Sequence, residues 1–123
     1  MTPKAFQRVA LSLPEAHEEP HFERTSFRVK KKIFATMTAD GSEAMVRVGA
    51  PELLNSLLST HADVFFSHGN WTLQNGSLGV RLAKADPKMI EALVVESWKH
   101  VAPKRVVAAF DGRPTRGDGQ RSR

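Results

Sequence analysis

The stretch Ser26-Phe27-Arg28-Val29-Lys30-Lys31-Lys32-Ile33-Phe34-Ala35-Thr36-Met37, SFRVKKKIFATM, decides how the fold is read. An apolar alternation runs into three consecutive lysines and then resumes. Alternation with a period of two marks half-buried strands, and a polar break between two such runs marks a hairpin. The register depends on the length of the turn, because a slip of one residue changes which side chains share a face. With all three lysines in the loop, Phe27, Val29, Ile33, Ala35 and Met37 share one face, and Arg28, Phe34 and Thr36 share the other. A two-residue loop would instead set Phe34 beside Phe27 and Val29. The three-residue loop is preferred, since it makes one face uniformly apolar. Such a loop usually wants a left-handed residue, commonly glycine. None is present, so a lysine is expected to carry some strain.

Helix and strand signals extend in both directions from this hairpin. On the N-terminal side, Thr2 can cap and Pro3 can open a helix whose stripe is Phe6, Val9, Ala10 and Leu13, with Pro14 as its stop. The polar segment EAHEEPHFER reads as a loop or the start of an edge strand. On the C-terminal side, Asp40-Gly41 is a turn, and Ala44, Val46 and Val48 alternate with Met45 and Arg47 as a third strand. Pro51 opens a helix carrying Leu53, Leu54, Leu57 and Leu58. Val64-Phe65-Phe66 is a short strand, and His68-Gly69-Asn70 turns the chain towards a further strand segment at Trp71 to Leu73. Asn75-Gly76 turns it again into a last strand with Leu78, Val80 and Leu82, Arg81 facing the other way. Asp86-Pro87 supplies a cap and a first-turn proline for a helix reaching about Ala102, with Ile90, Leu93, Val94, Ser97 and Val101 on its buried stripe. Val106 to Phe110 adds a short final turn or helix. This order predicts an α+β fold, an antiparallel sheet covered on one face by helices. It makes one domain over residues 1–111, followed by a disordered basic tail over 112–123.

The chain has 123 residues, with 41% hydrophobic and 25% charged residues and no cysteine. Disulfides, zinc–thiolate sites and thiol nucleophiles are therefore excluded. No apolar run reaches the roughly 18 residues of a membrane span, and the N-terminus has no signal-peptide core, so a cytoplasmic protein without membrane attachment is expected. The formal charge of +5 is uneven: Lys104 to Arg123 hold six bases against two acids, while the other residues hold twelve against eleven. The high isoelectric point thus belongs mainly to the tail, and a basic patch on the body must come from clustering.

Candidate chemistry is sparse. His17-Glu18-Glu19-Pro20-His21 concentrates metal-ligand types but lacks the helical spacing that sets two imidazoles on one face. No nucleophile elbow or Gly-rich phosphate loop occurs. A non-enzymatic protein with no cofactor is expected. The basic constellation is more informative. Arg28, Arg47 and Arg81 should point away from the apolar face of their strands, with Lys30, Lys31 and Lys32 at a hairpin tip beside them. Such a surface can track phosphates, with Phe34 available to stack on bases. The plainer alternative is a solvated turn with edge-protecting lysines. Trp71 and Trp98 are read as core or pocket lining, and Lys104 and Arg105 as cations serving the end of the preceding helix.

Four segments, LSLPEA (Leu11 to Ala16), SFRVKKKIFAT (Ser26 to Thr36), GSLGVRL (Gly76 to Leu82) and SWKHVAPKRVVAAF (Ser97 to Phe110), together resemble the MmcQ/YjbR family. The resemblance covers roughly residues 3 to 110. It implies a CyaY-like α+β fold, similar to frataxin and described as double-wing, and a DNA-binding role without a catalytic motif. Two positions depart from the family pattern. Lys31 stands where glycine is frequent, which adds charge and strain to the turn. Leu78 stands where tryptophan is frequent, which removes an aromatic that could stack or line a groove. The iron binding of frataxin does not carry over, since it relies on acidic residues on the first helix and residues 3 to 13 contain none. The expected function is thus a small DNA-binding protein contacting phosphate through Arg28, Lys30, Lys31, Lys32, Arg47 and Arg81. The alternative is a protein-interaction or small-ligand-binding module with a groove lined by Trp71, Phe65 and Phe66.

Overall fold

The structure is a computed structural model that describes residues 1–67 and 76–111. Helix α1 (Pro3–Ser12) starts where expected: Thr2 Oγ1 accepts from the Ala5 amide at 3.1 Å and Pro3 occupies the first turn. Four strands follow, β1 (Ala16–His21), β2 (Arg24–Val29), β3 (Lys32–Thr38) and β4 (Glu43–Arg47), then α2 (Pro51–Thr60), β5 (Phe65–Phe66) and β6 (Ser77–Arg81). Helices α3 (Pro87–Val101) and α4 (Lys104–Asp111) close the order. The six strands form one antiparallel sheet in the order β1-β2-β3-β4-β6-β5. The polar segment after Pro14 is thus the edge strand β1. Asp86 stands at the N-cap of α3 but its side chain makes no capping bond there. The proposed turn at 68–70, the strand at 71–73, Asn75 and the tail 112–123 lie outside the described residues.

The helices cover one face of the sheet. Phe6 and Ala10 of α1, Phe27 and Val29 of β2, Val46 of β4, Leu78 and Val80 of β6, and Ile90, Val94 and Trp98 of α3 are all buried in one core. The rings of Phe6 and Phe27 meet edge to face with centroids 5.9 Å apart, a favoured aromatic geometry. Trp98 ties the segment after α1 to α4, donating from Nε1 to the Pro14 carbonyl at 3.0 Å and lying 5.0 Å from the Phe110 ring. Leu78 is fully buried, so an aromatic at that position would face the helices, not a surface groove as the sequence reading had it.

The β3–β4 turn is fixed by polar chemistry. Asp40 Oδ1 accepts from the Ser42 amide at 3.0 Å, from Ser42 Oγ at 2.7 Å and from Thr38 Oγ1 at 2.9 Å. Those donors, the Ser42 amide foremost, hold its carboxyl at about 2, below the usual range. Gly41 follows at φ +74°, and a Cβ there would meet the Pro3 ring at 2.5 Å. Glycine is therefore required twice over, by the left-handed backbone and by the close approach of α1.

Candidate nucleic-acid interface

The β2–β3 hairpin departs from the three-residue loop. Val29 pairs with Lys32 and Arg28 with Ile33, so the turn holds only Lys30 and Lys31. The register then shifts: Phe27 pairs with Ala35, Ser26 with Thr36 and Thr25 with Met37. Phe34 is the extra residue, a β-bulge that puts the tip in the short-loop register and the rest of the hairpin in the long-loop one. Two side chains change places as a result. Phe34 is 0% exposed, so it joins the core and is withdrawn from any stacking role. Ile33, opposite Arg28, goes to the face without helices. At the bulge, the buried Ser97 hydroxyl of α3 donates to the Phe34 carbonyl while accepting from the Arg47 amide at 2.9 Å. The strained lysine is Lys30, at φ +58°, and not Lys31.

Strand register now places each candidate. On the uncovered face, β2 contributes Arg24, Ser26 and Arg28, β4 contributes Glu43, Met45 and Arg47, and β6 contributes Ser77, Gly79 and Arg81. Arg28 Nε donates to Ser26 Oγ at 2.8 Å, and that hydroxyl donates to the Glu19 carbonyl at 2.8 Å, which fixes where the guanidinium stem leaves the sheet. Arg28 and Arg47 lie at the end of the sheet that carries the Lys30–Lys31 turn, because Arg28 pairs next to the tip and β4 ends at Arg47. Arg81 shares their face but lies at the far end. It pairs with Glu43, four residues along β6 from Ser77, or about 13 Å at ~3.3 Å per residue. Its guanidinium sits 4.7 Å over the Phe66 ring and donates to the Ala62 carbonyl at 3.3 Å. Phe66 in turn crosses Gly79, where a Cβ would meet its ring at 2.5 Å, so the lack of a side chain at Gly79 makes room for this stack.

Lys32 leaves the sheet on the other side, paired with the buried Val29, and lines a depression with Lys30 and the α3–α4 corner. The lysine triplet is thus divided between the turn and the helix side. Arg24, also on the uncovered face, donates from Nη1 to Thr36 Oγ1 at 3.3 Å. The sequence reading passed over it, although its spacing from Arg28 carried the signal. A groove of about 300 Å³ crosses the uncovered face, with His21, Ile33, Thr36, Met45, Arg47 and Ser77 in its lining. It is not built from Phe65, which is buried in the core, and Trp71 lies outside the described residues. His17 Nε2 meets Glu19 Oε2 at 2.7 Å. Among the described residues no group of three or more metal-ligand side chains gathers, and no helix is long and apolar enough to cross a membrane.

A protein-family model described as YjbR matches residues 11–100. A solved structure of a Deinococcus radiodurans protein with a DUF419 domain is similar over 98% of this chain and 96% of that one, with a TM-score of 0.71 and 19% identity. At that identity the likeness speaks for the fold alone. No curated protein matches.

Proposed function

The chain belongs to the YjbR family, and from that premise and the charge gathered at one end of its sheet we propose that it is a small non-enzymatic DNA-binding protein that grips mainly phosphate. One observation carries this reading. Arg28 and Arg47 on the uncovered face lie at the same end of the sheet as Lys30, Lys31 and Lys32. Side chains of one sign at one edge attract a polyanion and release its counterions. Arg81 is an outlying contact on the same face. Replacing Lys30, Lys31 and Lys32 together with alanine should reduce the dependence of log affinity on log salt by up to ~2.7, at ~0.9 per phosphate contact on duplex DNA. An unchanged slope would remove the hairpin from the interface.

A second reading has its own observation, the groove of about 300 Å³ on the uncovered face. It has apolar walls in Ile33 and Met45 and polar groups in Thr36, Ser77 and Arg47, a composition suited to a small anionic ligand. Saturable binding of such a ligand at the groove, unaffected by the lysine replacements, would favour this reading over DNA.

A further inference from the structure

The depression on the helix side of the hairpin tip was assigned no ligand by the sequence. It measures about 390 Å³ and is lined by Lys30, Lys32, Lys99, His100, Pro103 and Lys104, among others. Two parts of the chain distant in sequence supply these cations: the β2–β3 turn with the first residue of β3, and the corner between α3 and α4. The plain explanation, cations at the carbonyl end of a helix, covers Lys99 and His100 in the last turn of α3 and Lys104 just beyond it. It does not cover Lys30 and Lys32, which arrive from the sheet.

The counter-charges at this corner are already engaged. Lys99 Nζ lies 3.0 Å from Asp111 and 3.5 Å from Glu96, and the Asp111 bond above all raises its pKa. Arg105 faces Glu15 at 3.8 Å. Among the described residues no carboxylate comes within ion-pair distance of Lys30, Lys32 or Lys104. Three ammonium groups sharing one concavity repel one another, and low-dielectric walls concentrate their field. An anion entering the concavity relieves that repulsion.

Taking the proposed DNA-binding function as given, we infer that this corner holds a phosphodiester of the same duplex. The DNA backbone then crosses the basic edge of the sheet, from Arg28 and Arg47 on the uncovered side, over Lys30 and Lys31, to Lys32 and Lys104 on the helix side. Lys104 is the new contact.

The test is the salt dependence of full-chain binding to a short DNA duplex by fluorescence anisotropy, for Lys104→Ala, Lys88→Ala and the triple lysine variant. Lys88 is exposed in the first turn of α3, at the opposite end of that helix from the corner, and controls for loss of one positive charge. The expected result is a slope reduced by ~0.9 for Lys104→Ala, no change for Lys88→Ala, and unchanged thermal unfolding for both. A Lys104→Ala slope equal to wild type, with the triple variant still reduced, overturns the corner contact and leaves the DNA reading standing. Equal slopes in all the variants overturn both. Equal reductions in Lys104→Ala and Lys88→Ala also overturn the corner contact, since net charge alone would account for them.

Discussion

At the scale of single residues, Ser97 does the most with the least. Its hydroxyl is fully buried and bonds two backbone groups at once, donating to the Phe34 carbonyl and accepting from the Arg47 amide. Ser97→Ala would remove both bonds, one of them to the Phe34 carbonyl in the interior. The cost of an unmade buried hydrogen bond is ~1–3 kcal/mol, so a loss of about 2 kcal/mol is expected in urea denaturation. A change under ~0.5 kcal/mol, the usual range for an inconsequential surface site, would show that water or another donor fills the role. The sequence placed Ser97 on the buried stripe of its helix but gave no sign of its partners. That partnership meets the chain at the bulge residue Phe34, and a bulge leaves no trace in an alternation count. Phe34 misled for the same reason: alternation alone set it on the face away from Phe27, and one inserted residue turned it inward.

At the scale of elements, the strands and helices were largely legible because each has its own punctuation. Thr2-Pro3, Pro14, Asp40-Gly41, Pro51 and Asp86-Pro87 all lie at element boundaries in the structure. The two hairpin turns flanking β2 were harder to read. Both place a non-glycine residue at positive φ, Phe22 at +59° and Lys30 at +58°, where a bulky residue costs ~1–2 kcal/mol. Phe22 is 93% exposed, and its described ring contact is with His21, centroids 4.8 Å apart. Phe22→Gly should therefore stabilise the protein by about 0.5 kcal/mol, strain relief outweighing the greater freedom of glycine in the unfolded chain. A midpoint shift in urea unfolding at constant slope reads this directly. Destabilisation instead would mean that the ring contact outweighs the strain.

At the scale of the whole molecule, charge is sorted along the sheet. The end with the Lys30–Lys31 turn collects Arg28, Arg47, Lys32 and the α3–α4 corner, while Arg81 opposite Glu43 and the Asp40 turn lie at the other. The sequence located the arginines on the uncovered face, because alternation assigns faces. It could not divide the lysine triplet between the turn and the helix side, since that depends on a two-residue turn. Nor could it bring Lys104 to the same depression as Lys30 and Lys32, which the chain's return after α3 achieves. The family resemblance anticipated the α+β fold, and its DNA-binding expectation now rests on the basic end of this sheet. The decisive measurement is fluorescence anisotropy on duplex and single-stranded DNA across salt, for the full chain and for a chain ended at Asp111, which keeps every described element. The account predicts that the shortened chain still binds duplex DNA, with a log–log salt slope near −6, at ~0.9 for each phosphate contact of Arg28, Lys30, Lys31, Lys32, Arg47, Arg81 and Lys104. Binding by the full chain alone would assign the affinity to residues 112–123 and leave the lysine turn a solvated loop.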